Sequence, residues 1–309
     1  MNLDVFFDSV KADIENRLRN SVEKYEEQGK LGYLLKFGKR LRPLLNLLVF
    51  RACGGDEEGY HRALDLAAAM ELQHSASLVH DDIIDGDLSR RSESSYYKRF
   101  GVEDAILTGH RAIVLGFKCV LGHDARILET FFDVWDKSLK GEIQEIESRK
   151  NVPALLESGK ELYLEVIINK TASLFAGAAK IASQEARVSE DLQNLFWEYG
   201  KHIGIAYQLA DDSRDFNNGN VEVLPIPWII KKLDCRTAES FTINLKNGLS
   251  PSTALSKLNI DTQSIFRKEI TRMQHIAENL AKSKTIPDNE FTPLLLEAPR
   301  YFIDRCLEN

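Results

Sequence analysis

Asp81, Asp82 and Asp85 close an apolar run in which Leu72, Ala76 and Val79 fall on one side of a helix. Carboxylates at a helix C-terminus meet the negative end of its dipole, which costs stability unless a cation sits among them. Asp81 and Asp85 are four residues apart and share a face, so they can hold hard cations through oxygen ligands. Arg90 and Arg91 follow, and guanidinium forks beside such acids point to a metal-chelated polyanion whose free phosphate oxygens they grip. Taken alone, one acidic run reads as a solvated helix end. A second copy, Asp211, Asp212 and Asp215 in YQLADDSRDF, again closes an apolar helix. Brought face to face, the two copies would put six carboxylates around one cavity. About three divalent cations would neutralise that repulsion, and hard oxygen ligands favour Mg2+.

The elements that must carry these acids are helices. Apolar residues recur at three- and four-residue spacing along most of the 309 positions, strand patterns are scarce, and there are only 8 Pro and 18 Gly. With 43% hydrophobic residues the chain can bury a sizeable core, and no linker divides it, so residues 1–309 read as one all-α domain. A formal charge of −7 argues against a general nucleic-acid binder. Cys53, Cys119, Cys235 and Cys306 are scattered, without zinc-site pairs or the density of a disulfide scaffold, which suggests a reducing compartment. The first twenty residues lack a signal-peptide layout and no apolar run is long enough to span a bilayer, so a cytoplasmic location is expected.

Along the chain, residues 3–28 read as an amphipathic helix that ends near Gly29 and Gly32. Gly38, Lys39, Arg40 and Arg42 then form a basic cluster around Pro43, which suits the first turn of the apolar helix that follows. Such a cluster is either a solvated loop or a diphosphate contact. Further helical patterns run through 101–122 and 124–148. In KGEIQEIESRK, Glu142, Gln144, Glu145 and Glu147 either border the cavity or, as the simpler reading, belong to a solvated face with a few polar residues turned inward. Lys170 and Thr171 interrupt an otherwise apolar helix; a lysine there needs an anionic partner or an escape along its stem to solvent.

GKRLRP at 38–43, HSASLVHDDIIDGDLSRRS at 74–92, KTASLF at 170–175 and YQLADDSRDF at 207–216 together resemble the trans-isoprenyl diphosphate synthases, or polyprenyl synthetases. The resemblance implies one large helical bundle around a central prenyl-binding cavity, the isoprenoid synthase fold, acting as a homodimer. It implies a magnesium-dependent condensation of an allylic diphosphate with isopentenyl diphosphate. By that likeness Asp81, Asp82, Asp85, Asp211, Asp212 and Asp215 would be the metal acids, and Arg90 and Lys170 would aid departure of the diphosphate. Thr171 and Gln208 would complete the allylic site, and Lys39, Arg42, His74 and Arg91 would bind isopentenyl diphosphate. Ala76 and Ser77, about one turn before Asp81, would floor the prenyl tunnel. Both are small where a bulky aromatic would stop growth early, so products beyond farnesyl are expected, with geranylgeranyl as the first guess. Gln73 and Met70 lie deeper and would set the final stop.

The chain departs from the family pattern at Ser92, at His110 after Gly109, and after Asp215. There NNGNVEVLPIP replaces a longer loop that bears glycine and lysine and closes over the allylic diphosphate. Two other readings stand beside the synthase. One is a catalytically weak regulatory subunit, favoured by the short loop and opposed by the six aspartates. The other is a terpene cyclase, whose second metal motif normally mixes Asn/Asp, Ser/Thr and Glu.

Overall fold

The computed structural model describes residues 1–25, 29–36, 38–90, 93–152, 155–156 and 161–308. The architecture is all-α. In order come α1 (Leu3–Val22), α2 (Lys30–Leu35), α3 (Leu41–Ala52), α4 (Glu57–Asp85), α5 (Tyr96–Phe100), α6 (Val102–Val120) and α7 (Ala125–Lys150). Next are α8 (Leu162–Ile167), a π turn over Ile168–Ala172, α9 (Ser173–Glu185) and α10 (Glu190–Asn217). The last five are α11 (Ile226–Lys231), α12 (Cys235–Lys246), α13 (Pro251–Ser256), α14 (Thr262–Ala281) and α15 (Leu294–Leu307). Among the described residues the only extended structure is a two-residue hairpin, β1 (Ser89–Arg90) paired antiparallel with β2 (Glu93–Ser94).

Helix α1 starts where the Asn2 side chain accepts from the Val5 N–H, and Leu3, Phe6, Val10, Ile14, Leu18 and Val22 form its buried stripe. The α-helix ends at Val22 and the chain tightens into a 3-10 turn over Glu23–Tyr25; residues 26–28 of the expected helix lie outside the described set. Helices α3 and α4 form the centre. Leu44, Leu45, Leu47, Leu48 and Val49 of α3 and Ala63, Leu66, Ala67, Ala68, Ala69 and Met70 of α4 are almost wholly removed from water.

Helix α4 packs on α1, α3, α6 and α9, while α10 packs on α9, α14 and α15. Thus α9 lies between the two acid-bearing helices. At the α4–α6 contact a side chain on Gly109 would collide with the His80 ring, and the His110 ring lies 5.3 Å from that of His80. That close approach is the physical account of glycine at 109, and His110 tilts onto the same imidazole.

Arg40 does not join the basic cluster at the cavity. It is buried, with Nη1 2.8 Å from Glu71 and Nε 2.8 Å from Glu15, and pins the entry to α3 against α1 and α4. Two carboxylates offset the desolvation of its guanidinium.

Candidate functional site

The last turn of α4 carries no base of its own, so relief for its acids comes from other elements. Asp82 is buried and receives Arg90 from the hairpin at 2.6 Å. Asp85 receives Arg149 from the end of α7 at 2.5 Å, and the same guanidinium reaches Glu145 at 2.5 Å. Burial, with Glu142 nearby, pushes the Asp81 carboxyl up to about 7 even though Lys170 and Arg90 oppose the shift. The three acids of the first motif therefore divide: Asp81 and Asp85 face α7 and the π turn, while Asp82 faces the hairpin.

Lys170 sits on the π turn, a one-residue widening of the helix that is frequent at functional sites. Its ammonium lies 2.6 Å from Glu142 and 2.6 Å from Glu145, both on α7. Burial lowers its affinity for the proton, but Glu145, Glu142 and Asp81 outweigh burial and hold it above the usual lysine range. The approach of α7 to this turn depends on Gly141. A Cβ there would stand 2.8 Å from Lys170 Cα and 2.9 Å from Lys170 Cβ.

The second motif joins the same network from α10. Thr171 donates to Gln208 at 2.8 Å, Gln208 donates to Asp212 at 2.9 Å, and Tyr163 donates to the other oxygen of Asp212 at 2.5 Å. Burial pushes the Asp212 carboxyl up to about 7 against these two hydrogen bonds. Asp211 and Asp215 instead receive Arg214, at 2.5 and 3.6 Å. Burial and the charge of Asp211 raise Asp215, with Arg214 opposing. Glu222, in the loop after α10, closes the circuit. Burial and Glu145 raise its carboxyl, Arg149 and Lys170 pull the other way, and Asp215 adds to the rise. The ends of α4, α7 and α10 and the π turn before α9 thus share one network of charges and hydrogen bonds. The loop lysine that the resemblance expects has no clear counterpart here, and the loop after α10 carries Glu222.

The remaining expected residues are spread around that end. Lys39 donates to the Arg305 carbonyl in the last turn of α15 at 2.6 Å, and Arg42 stacks on the Phe175 ring 4.7 Å away. His74 lines a small cavity with Asp82, Arg90, Tyr33 and Tyr96. Arg91 lies outside the described residues, as does Ser92. Ala76 is fully buried, Ser77 donates to the His74 carbonyl at 2.9 Å, and Gln73 lies against Gly116 of α6.

Glu142 and Glu145, read from the sequence mainly as part of a solvated face, border this network. Arg149, Tyr163, Arg214 and Glu222 also belong to it, and the sequence reading gave those four no role. The available signal was Gly141, a glycine inside a strong helix pattern, which marks a close approach. The donor set is all oxygen and suits a hard divalent cation. Two partly exposed carboxyls, Asp81 and Asp212, are raised to about 7 chiefly by desolvation, with neighbouring Glu142 and Asp211 adding to the rise. Among the described residues no three acids converge closely enough to hold one ion, because Asp85 is turned to Arg149 and Asp211 to Arg214.

The sequence profile described as "Polyprenyl synthetase" matches residues 28–223. A geranylfarnesyl diphosphate synthase of Methanosarcina mazei is 34% identical over 179 residues, 58% of this chain and 58% of its own length. The match thus spans less than two thirds of that relative. Among solved structures, a decaprenyl diphosphate synthase from Rhodobacter capsulatus superposes with a TM-score of 0.81 at 21% identity, covering 98% of this chain and 99% of its own. A polyprenyl synthase from Caulobacter crescentus, complexed with calcium and isoprenyl diphosphate, gives 0.74 at 23% identity and covers 98% of both chains.

Proposed function

The chain belongs to the polyprenyl synthetase family, and from that membership we propose that it is a prenyltransferase. It joins an allylic diphosphate head to tail with isopentenyl diphosphate and releases linear trans-prenyl diphosphates of geranylgeranyl length or longer. The observation that carries the reading is the network in which Lys170, paired with Glu142 and Glu145, lies in the field of Asp81 and next to Thr171, which is bonded through Gln208 to Asp212. The Lys170 ammonium is held by carboxylates of the chain itself and is ready to exchange them for a diphosphate.

In this reading Asp81, Asp82 and Asp85 with Asp211, Asp212 and Asp215 would hold divalent metal, about three Mg2+ per site, once Asp85 and Asp211 turn from Arg149 and Arg214. Bound metal supplies positive charge to the departing diphosphate. Lys170 and Arg90 grip its free oxygens, while Thr171 and Gln208 orient the group. Lys39, Arg42, His74 and Arg91 hold isopentenyl diphosphate. The allylic carbon–oxygen bond breaks with its electron pair leaving on diphosphate. The double bond of isopentenyl diphosphate supplies the pair for the new carbon–carbon bond, and the proton lost from the adjacent carbon passes to released diphosphate. Ala76, Ser77 and Gln73 bound the growing chain.

Residues 1–309 work as one unit, in the cytoplasm, as a homodimer. Support for the dimer comes from exposed apolar stripes, Leu107 and Val114 on α6 with Leu121 just past its end, and Phe132, Leu139 and Ile143 on α7. They adjoin where the Phe117 and Phe132 rings lie 5.4 Å apart. No helix among the described residues is long and apolar enough to cross a membrane.

The test is a product assay on the purified chain with isopentenyl diphosphate, Mg2+ and dimethylallyl, geranyl or farnesyl diphosphate in separate reactions. Elongated linear products are expected. No product from any primer, with metal-dependent diphosphate binding retained, would favour a second reading, a catalytically weak partner subunit. That reading draws on Glu222, an acid facing Lys170 from the loop that would close the site.

A further inference from the structure

We propose that Arg214 is a resident counter-ion of the second acid cluster, a guanidinium with which a divalent cation must compete for Asp211 and Asp215. It thereby sets the metal concentration at which this cluster fills. The inference rests on the metal-dependent reading given above and concerns affinity for metal.

Residues 211, 214 and 215 lie three and one apart on α10 and share a helix face. Arg214 Nη2 is 2.5 Å from Asp211 Oδ1, and its Nε is 3.6 Å from Asp215 Oδ1. The guanidinium is also fixed from the far side. Its Nη1 donates at 2.7 Å to the carbonyl of Cys306, in the last turn of α15, where the helix dipole favours a cation. The Cys306 thiol approaches the same Asp211 oxygen at 3.6 Å. An arginine anchored to a backbone carbonyl does not swing free when its carboxylates are claimed. It stays beside the incoming metal, so competition for ligand oxygens and like-charge repulsion act together. The neighbouring Asp212 is held differently, by the neutral donors Tyr163 and Gln208. The first cluster is compensated from other elements, by Arg90 and Arg149, whereas Arg214 belongs to the acid motif itself.

The ion pairs of Arg214 are partly solvated, so their combined effect on metal affinity is about tenfold. The experiment titrates the full-length, metal-free chain with Mn2+ and follows free ion by electron paramagnetic resonance, with no substrate present. Sites lost in Asp211→Asn identify the second cluster. In Arg214→Leu and Arg214→Gln those sites are expected to tighten about tenfold while the remaining sites hold their affinity. The Mn2+-induced rise in melting temperature is expected to grow in the same variants. Far-UV circular dichroism establishes folding, and the glutamine variant serves if leucine disturbs the helix end. Unchanged or weaker Mn2+ binding at the second cluster in a folded variant overturns the proposal. A wild-type chain that binds no Mn2+ overturns the metal-dependent reading itself, and this inference with it.

Discussion

Gly141→Ala tests whether the position of Lys170 is what the cavity depends on. The added methyl would stand 2.8 Å from Lys170 Cα and 2.9 Å from Lys170 Cβ, where ordinary contact begins at 3.4 Å. The obstructing atoms include backbone, which cannot rotate away, so the π turn must retreat from α7 by roughly 0.5–1 Å. Overpacking of this kind costs about 1–3 kcal/mol of stability. The retreat also draws the ammonium off Glu142 and Glu145 and away from the place a diphosphate would occupy. A displacement near 1 Å at a positioning group costs on the order of 100-fold in rate, about 2.7 kcal/mol of barrier. The assay compares kcat for prenyl elongation with the melting temperature. Gly177→Ala is the control, because its methyl would stand 2.5 Å from Val134 Cγ2 and so overpacks a side chain of the core. The expectation is similar destabilisation in both variants and a ~100-fold fall in kcat only in Gly141→Ala. If Gly141→Ala is destabilised like the control yet keeps kcat within a factor of about three, the placement of Lys170 is not limiting and the reasoning fails.

The raised carboxyls give a pH dependence of definite sign. Asp81 and Asp212 titrate at about 7 in the folded chain against an ordinary value of 3.8, so folding takes up protons between those values and stability falls as pH rises through 7. In EDTA the chain should lose on the order of 1 kcal/mol per group between about pH 6 and pH 8, read by thermal denaturation. Asp81→Asn and Asp212→Asn should each flatten the slope, and a wild-type chain equally stable at both pH values would contradict it. Ala76→Phe puts an aromatic ring on the fully buried face of α4, one turn before Asp81. Product chains analysed by mass spectrometry should shorten, and an unaltered distribution would move the tunnel floor elsewhere.

What could be read from the sequence, and what could not, follows from how each group obtains its opposite charge. The helical class and the two aspartate motifs are local patterns, visible because period and spacing are properties of a single segment. Lys170 was legible for a related reason: a cation in an apolar helix demands an anion. The anion's identity was not, since Glu142 and Glu145 lie 25 or more positions earlier on a helix whose charges look like a solvated face. Only the approach of α7 to the π turn, allowed by Gly141, turns them inward, and a π turn has no residue signature of its own. The same argument covers Arg40, which looks like a cavity cation by position and is claimed by Glu15 and Glu71. It also covers the departures from the family pattern. In the loop after Asp215, where the chain departs from that pattern, Glu222 adds negative charge, and within the second acid motif Arg214 adds positive charge beside Asp211. Charge that the closing loop lacks is thus carried partly inside the acid motif. Metal affinity at the second cluster is therefore the quantity in which these two charges meet.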